Sequence, residues 1–299
     1  MKKTLMTFGA LLAVIFVVLS VLDNTDYALE KKLWRVHKQF NQAAADPQAV
    51  PSRKFDSIVS QYQKLVDKYP HSRLTARIHM QAGMTYLLKK DDAKAMETFQ
   101  DILRLYPKDK VIGSVALLNI GNIYERQEEG NKALEIYNKI IDDYLLTTVG
   151  LNMPLYIANY HLRNNEKEKG ERAIDRAISI YKKVAEEYDQ EAFGFDASRF
   201  LVTCYYAKED WREAVNTLGG ILLEYAKSKF MNPQRALLLV KSINTVSITK
   251  VKDYDLPRKI YLQFISENPN HPFNKVLEGM LDSFNQLEEK GVTISTSKP

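Results

Sequence analysis

Six times along this chain a helical stretch ends on the same short signature, and the interval between endings is nearly constant. The endings read DKYPHS, RLYPKD, DDYLLT, EEYDQE, LEYAKS and SENPNH, at Tyr69, Tyr106, Tyr144, Tyr188, Tyr225 and Asn268. The intervals are therefore 37, 38, 44, 37 and 43 residues. A period in this range, with helical patterning on both sides of every stop, is the mark of stacked helical hairpins, each of which buries its apolar face only against its neighbours. Proline at Pro70 and Pro107 stops the second helix because it has no backbone N–H to donate and restricts the residue before it. Only 12 glycines and 10 prolines in 299 residues fit long regular elements better than many short strands joined by turns.

Inside each interval the order repeats. Residues 76–107 place Gly83 and Tyr86 in a first helix, Ala95 and Phe99 in a second, and Pro107 after it. The next unit has Gly121, Tyr124, Ala133 and Tyr137, with Leu145 where the proline stood. A further unit has Tyr205, Ala214 and Leu218, with Val202 at the glycine position. Small residues let the two antiparallel helices of a hairpin approach closely, and aromatics fill the space between one hairpin and the next. Tyr86, Phe99, Tyr124, Tyr137, Tyr181 and Tyr205 all fall on positions that read as core.

The pattern Gly-x-x-Tyr, Ala-x-x-x-Phe/Tyr, Pro resembles the tetratricopeptide repeat, whose basic unit is 34 residues. The resemblance covers residues 76–107 and 114–145 well and 195–226 in part. It implies an all-α, right-handed superhelical solenoid of five to six hairpins plus a C-terminal capping helix. Units of this length with Tyr-Pro endings are similar to those of bacterial envelope proteins of the family, including outer-membrane assembly lipoproteins, whose lipid-accepting cysteine this chain lacks.

The remaining hairpins are placed at Leu29–Ala45 with Ser52–Lys68, Pro154–Leu162 with Glu168–Glu187, and Pro233–Lys250 with Leu256–Glu267. The polar link RNNEKEKG accounts for the extra length of the fourth. Residues 272–290 read as the closing helix, with Lys275, Glu278, Asp282, Gln286 and Glu289 outward and Val276, Leu277, Met280, Leu281, Phe284 and Leu287 inward. The repeat domain is thus 25–290, and 291–299 reads as a flexible tail.

The first residues have a different character. Lys2 and Lys3 precede Leu5–Leu22, eighteen residues without a charge, at the lower end of the roughly 17–25 that span a bilayer. The expectation is one transmembrane helix within 1–24, an uncleaved signal-anchor. The basic N-terminus stays in the cytoplasm and the repeats lie on the periplasmic or extracellular side of the inner membrane. The alternative is a cleaved signal peptide, which would leave a soluble periplasmic or secreted adaptor.

No enzyme motif is present: no Gly-x-Gly-x-x-Gly, Walker loop, His-Glu-x-x-His or Gly-x-Ser-x-Gly. His37, His71, His79, His161 and His271 are scattered over different units. His79 falls on a packing position. Cys204 is the single cysteine, so no internal disulfide forms, and a lone cysteine on an apolar helix face reads as a small buried hydrophobe. The net charge of +5 is spread out with no basic run, which leaves nucleic-acid binding without electrostatic support. No catalytic residue, cofactor or metal is expected.

The expected function is a membrane-anchored, non-enzymatic scaffold that binds a protein partner in an envelope or membrane complex, with an accessory subunit of an enzyme complex as the other reading. The resemblance implies a groove lined by first helices. Its positions here are Arg77, Met80, Met84 and Leu87, then Leu118, Asn122 and Glu125, then Asp196, Arg199, Thr203 and Tyr206. Family members that grip a peptide carboxylate use Lys, Asn and Arg on adjacent first helices. Only Asn122 and Arg199 match, two units apart, so that specificity is not implied.

Overall fold

The computed structural model describes residues 26–289, so the anchor expected in 1–24 and the tail at 291–299 lie outside the described residues. All regular structure among the described residues is helical. The chain forms two compact units that divide after Gly150.

The first unit contains α1 (Asp26–Ala45) and α2 (Ser52–Lys68), α3 (Thr75–Leu88) and α4 (Asp92–Leu105), and α5 (Lys110–Arg126) and α6 (Gly130–Tyr144). Next comes α7 (Thr148–Arg163), followed in the second unit by α8 (Lys167–Glu187), α9 (Ala192–Ala207), α10 (Trp211–Glu224), α11 (Pro233–Val246), α12 (Asp255–Glu267) and α13 (Asn274–Glu289). Among the described residues that is six hairpins and a closing helix. In the closing helix Leu277 and Phe284 are buried, while Lys275, Glu278, Asp282 and Gln286 are exposed.

The packing inside a hairpin is set by one pair of positions. A methyl group built on Gly83 would lie 2.5 Å from the Phe99 ring, and one on Gly121 would meet the Tyr137 ring. Phe99 and Tyr137 are fully buried. The same register positions hold Ala158 with Ile174 in the fourth hairpin and Val202 with Leu218 in the fifth, all of them buried. As the first-helix residue grows from Gly to Ala to Val, the second-helix residue shrinks from an aromatic ring to Ile or Leu. Combined volume is nearly the same in the Gly–aromatic and Ala–Ile pairs, while Val202 with Leu218 makes a bulkier pair in the fifth hairpin.

The turn between the two helices is equally regular, and the sequence did not announce it. Lys90, Glu128, Asn165 and Glu209 have φ of 62°, 62°, 59° and 56°. After each, a backbone N–H reaches back to close a six-residue loop: Asp91 to the Tyr86 carbonyl, Glu129 to Tyr124, Glu166 to His161 and Asp210 to Tyr205, each at 2.9 Å. This is the left-handed helix ending that glycine usually occupies. Asp91 and Asp210 then cap the following helix through the N–H groups of Lys94 and Glu213.

Three element boundaries and the burial of two tyrosines depart from the sequence reading. Pro154 does not begin a helix; it lies inside α7, which starts at Thr148. The extra length of the fourth hairpin is not in a polar link, since only residues 164–166 are unwound, but in the 21-residue α8. Pro233–Lys250 is not one α-helix, because Ser247–Val251 widens into a π-turn closed by left-handed Lys252. And Tyr86 and Tyr124 are half-buried rather than core. Each lies at the hairpin edge under a lysine eight residues on, Lys94 at 5.7 Å and Lys132 at 5.4 Å from the ring centroid.

A buried hydroxyl accompanies Pro154. Proline has no N–H to give the preceding turn, and side chains that insert into the helical ladder mark such places. The Tyr181 hydroxyl of α8 donates to the Leu151 carbonyl at 2.9 Å and accepts from the Leu155 N–H at 3.4 Å. Burial raises the Tyr181 pKa well above its ordinary value, so it remains a neutral donor. Tyr181→Phe is expected to cost about 1–3 kcal/mol, the penalty for stranding a buried acceptor. Equilibrium urea unfolding of the variant checks this, and an unchanged midpoint would refute it.

Candidate partner-binding surface

The first helices of neighbouring hairpins touch within the first unit, α1 with α3 and α3 with α5, so their outer residues form one surface. Arg77 is exposed there, and Met84, Leu87, Leu118, Asn122 and Glu125 are half-buried. Met80 does not belong to it. At 5% exposure it is packed inside, and the pair of methionines expected from the four-residue spacing reduces to Met84. Helical periodicity puts both on one face, but it does not tell which turn of that face a neighbour covers.

The core holds part of this surface in place. The buried Tyr137 ring sends its hydroxyl between two groove residues, 2.8 Å from Glu125 Oε1 and 3.1 Å from Asn122 Oδ1. One phenol proton serves two acceptors, so the amide and the carboxylate are steered from beneath by the same side chain that fills the space under Gly121. His79 is half-buried with Nδ1 3.1 Å from the Tyr106 hydroxyl. Burial lowers its pKa, against the smaller opposing pull of Asp101 and Asp67. It packs, as its position implied.

Arg77 opens onto a cleft of about 240 Å³ between α1 and α3, bounded by Glu30, Leu33, Trp34 and Gln81. The Gln81 Oε1 is buried without a hydrogen-bond partner, and Trp34 is 64% exposed. The sequence reading missed this place because the first hairpin matches the repeat pattern poorly. An aromatic residue on the polar side of α1 was the available signal.

The second unit brings the other four candidates onto α9. Asp196 and Arg199 pair at 3.2 Å, and the exposed Thr203 hydroxyl donates to the Arg199 carbonyl at 3.3 Å. Tyr206 is half-buried, with its ring 5.7 Å from Trp211, and Lys250 lies 4.9 Å over the Trp211 ring. The aromatic residues of 193–206 make contacts on two sides of α9. Phe195 packs on Tyr225 at 5.0 Å and Phe200 stacks on Tyr181 at 5.2 Å. Cys204 is fully buried, and burial pushes its thiol up to about 12, so it behaves as the small hydrophobe expected.

Comparison with known proteins agrees with the hairpin geometry. Residues 79–109 and 115–144 match the tetratricopeptide repeat family. These are the two hairpins with the Gly–aromatic pairs. The chain is 28% identical over 138 residues, 46% of its length and 73% of the relative's, to Photosystem I assembly protein Ycf3 from Rippkaea orientalis. The crystal structure of BtubC (BKLC) from P. vanneervenii aligns over 85% of this chain and 91% of its own, with 14% identity and a TM-score of 0.40. That likeness is too loose to argue from.

Proposed function

Because this chain carries tetratricopeptide repeats, we propose that it is a scaffold that holds protein partners during the assembly of a membrane or envelope complex. The observation that carries the reading is the first-helix surface of the first unit. There Met84, Leu87 and Leu118 stay partly open beside Arg77, Asn122 and Glu125. Partly open apolar groups next to steered polar ones suit a peptide or helix laid across them. The similarity to a protein named for photosystem assembly supports an assembly role in general terms and does not transfer the photosystem. No chemistry of its own is assigned to the chain. The Leu5–Leu22 run supports a tether in the inner membrane with the repeats on the outer side.

The test is photo-crosslinking from the Met84 position in intact membranes, with the captured proteins identified by mass spectrometry. Membrane-complex subunits should be enriched over a probe at exposed Glu278. Equal capture at both positions would overturn the binding surface. Release of the full chain by alkaline carbonate would overturn the tether.

A further inference from the structure

We propose that the outward face of α1 rests on the surface of an anionic lipid bilayer, with Tyr27 and Trp34 in the headgroup layer and Lys31, Arg35 and Lys38 against lipid phosphates. The inference rests on the tether just described. α1 buries Leu29, Val36 and Ala43, spaced seven apart along one side. The opposite side carries Tyr27, Lys31, Trp34 and Lys38 at i, i+4, i+7 and i+11, one continuous stripe of a helix. Tyr27 is 75% and Trp34 64% exposed, and Lys38 lies 5.7 Å over the Trp34 ring. Exposed Trp and Tyr interleaved with lysine is the composition of a membrane–water interface.

The charges favour lipid as well. The two acids of α1 that could neutralise the stripe are turned to the next hairpin. Glu30 pairs with Arg73 at 3.4 Å, while Asp26 sits 3.8 Å from Arg73 and accepts from the Ser72 hydroxyl at 2.9 Å. Among the described residues no carboxylate pairs with Lys31, Arg35 or Lys38. Each basic group near an anionic surface adds to the attraction. The short link keeps the start of α1 beside the bilayer. Asp23, Asn24 and Thr25 alone separate the apolar run from α1, and three residues reach at most ~10 Å. With α1 lying along the bilayer, as proposed, a globular partner of ~13 Å radius of gyration would not fit beneath this face.

The experiment uses the full chain with Trp211→Phe, which leaves Trp34 as the single tryptophan, reconstituted into vesicles of phosphatidylglycerol and phosphatidylcholine. Trp34 emission should be blue-shifted, and quenched more by lipid brominated near the headgroup than by lipid brominated near the chain end. Lys31→Glu with Lys38→Glu, or vesicles of phosphatidylcholine alone, should cut the quenching by about half or more. Water-like, unquenched emission from chains that float with the vesicles overturns the surface contact and leaves the tether standing. Failure to float after carbonate overturns both. Blue-shifted emission that bromolipid does not quench means protein covers Trp34, a second copy or a partner, and overturns the proposal.

Discussion

Gly121→Leu is expected to lower the unfolding free energy of the first unit by about 1–3 kcal/mol, the usual cost of overpacking a dense core. The reason is geometric. Even a methyl at this position runs into the Tyr137 ring, and Tyr137 cannot swing away without giving up its hydroxyl contacts to Glu125 and Asn122. The damage should therefore reach the binding surface as well as the core. The size pairing along the chain makes the prediction sharper. The fourth hairpin holds Ala158 where the third holds Gly121, and Ile174 where it holds Tyr137. Gly121→Ala alone should destabilise, and adding Tyr137→Ile should recover part of the loss. Thermal melting of the three variants decides it. An unchanged midpoint for Gly121→Leu, or a double variant that melts below Gly121→Ala, would show that this pair does not set the hairpin spacing.

The second expectation separates core from surface. Phe99→Glu should leave the first unit unfolded. It loses the burial of a whole ring, worth about 3–5 kcal/mol in large-to-small substitutions. In addition it places a carboxylate against Gly83, where nothing on the opposite helix hydrates it. Met84→Glu lies next to Gly83 in α3 but points about 100° away from it around the helix, at a half-buried position where the carboxylate can keep water. It should fold, melt within a few degrees of the parent, and lose partner capture, because docking would have to strip that water. Tyr206→Glu on α9 should behave likewise. It costs somewhat more stability, since the pairing with Trp211 is worth about 0.5–1.5 kcal/mol. Circular dichroism melts set against crosslink yield decide between the outcomes. Met84→Glu melting as low as Phe99→Glu would make Met84 a core residue. Full capture by both folded surface variants would move the partner to another face.

Much of the hairpin architecture was legible in the residues because the signals are local. Tyr-Pro endings stop helices by backbone chemistry alone, and a Gly facing an aromatic sixteen residues later is a packing instruction within one hairpin. The candidate surface was only partly legible. Arg77, Arg199 and Thr203 are exposed while Met80 is buried, and the cleft beside Trp34 lies in the first hairpin, which carries no Gly–aromatic pair.

What the sequence determined by itself was a stack of five to six hairpins, the core rings at Phe99, Tyr137 and Tyr181, and the polar outer side of the closing helix. Each follows from spacing and composition within a single element. The tertiary structure decided what depends on a second element. It buried Met80 beside an open Met84. It inserted the Tyr181 hydroxyl of α8 between the Leu151 carbonyl and the Leu155 N–H, in the turn of α7 that holds Pro154. It also turned both acids of α1 toward Arg73, leaving Tyr27, Trp34 and three basic groups facing outward. A periodic pattern fixes which residues share a face, but whether that face is covered, and by whose side chains, is a property of the packed neighbours.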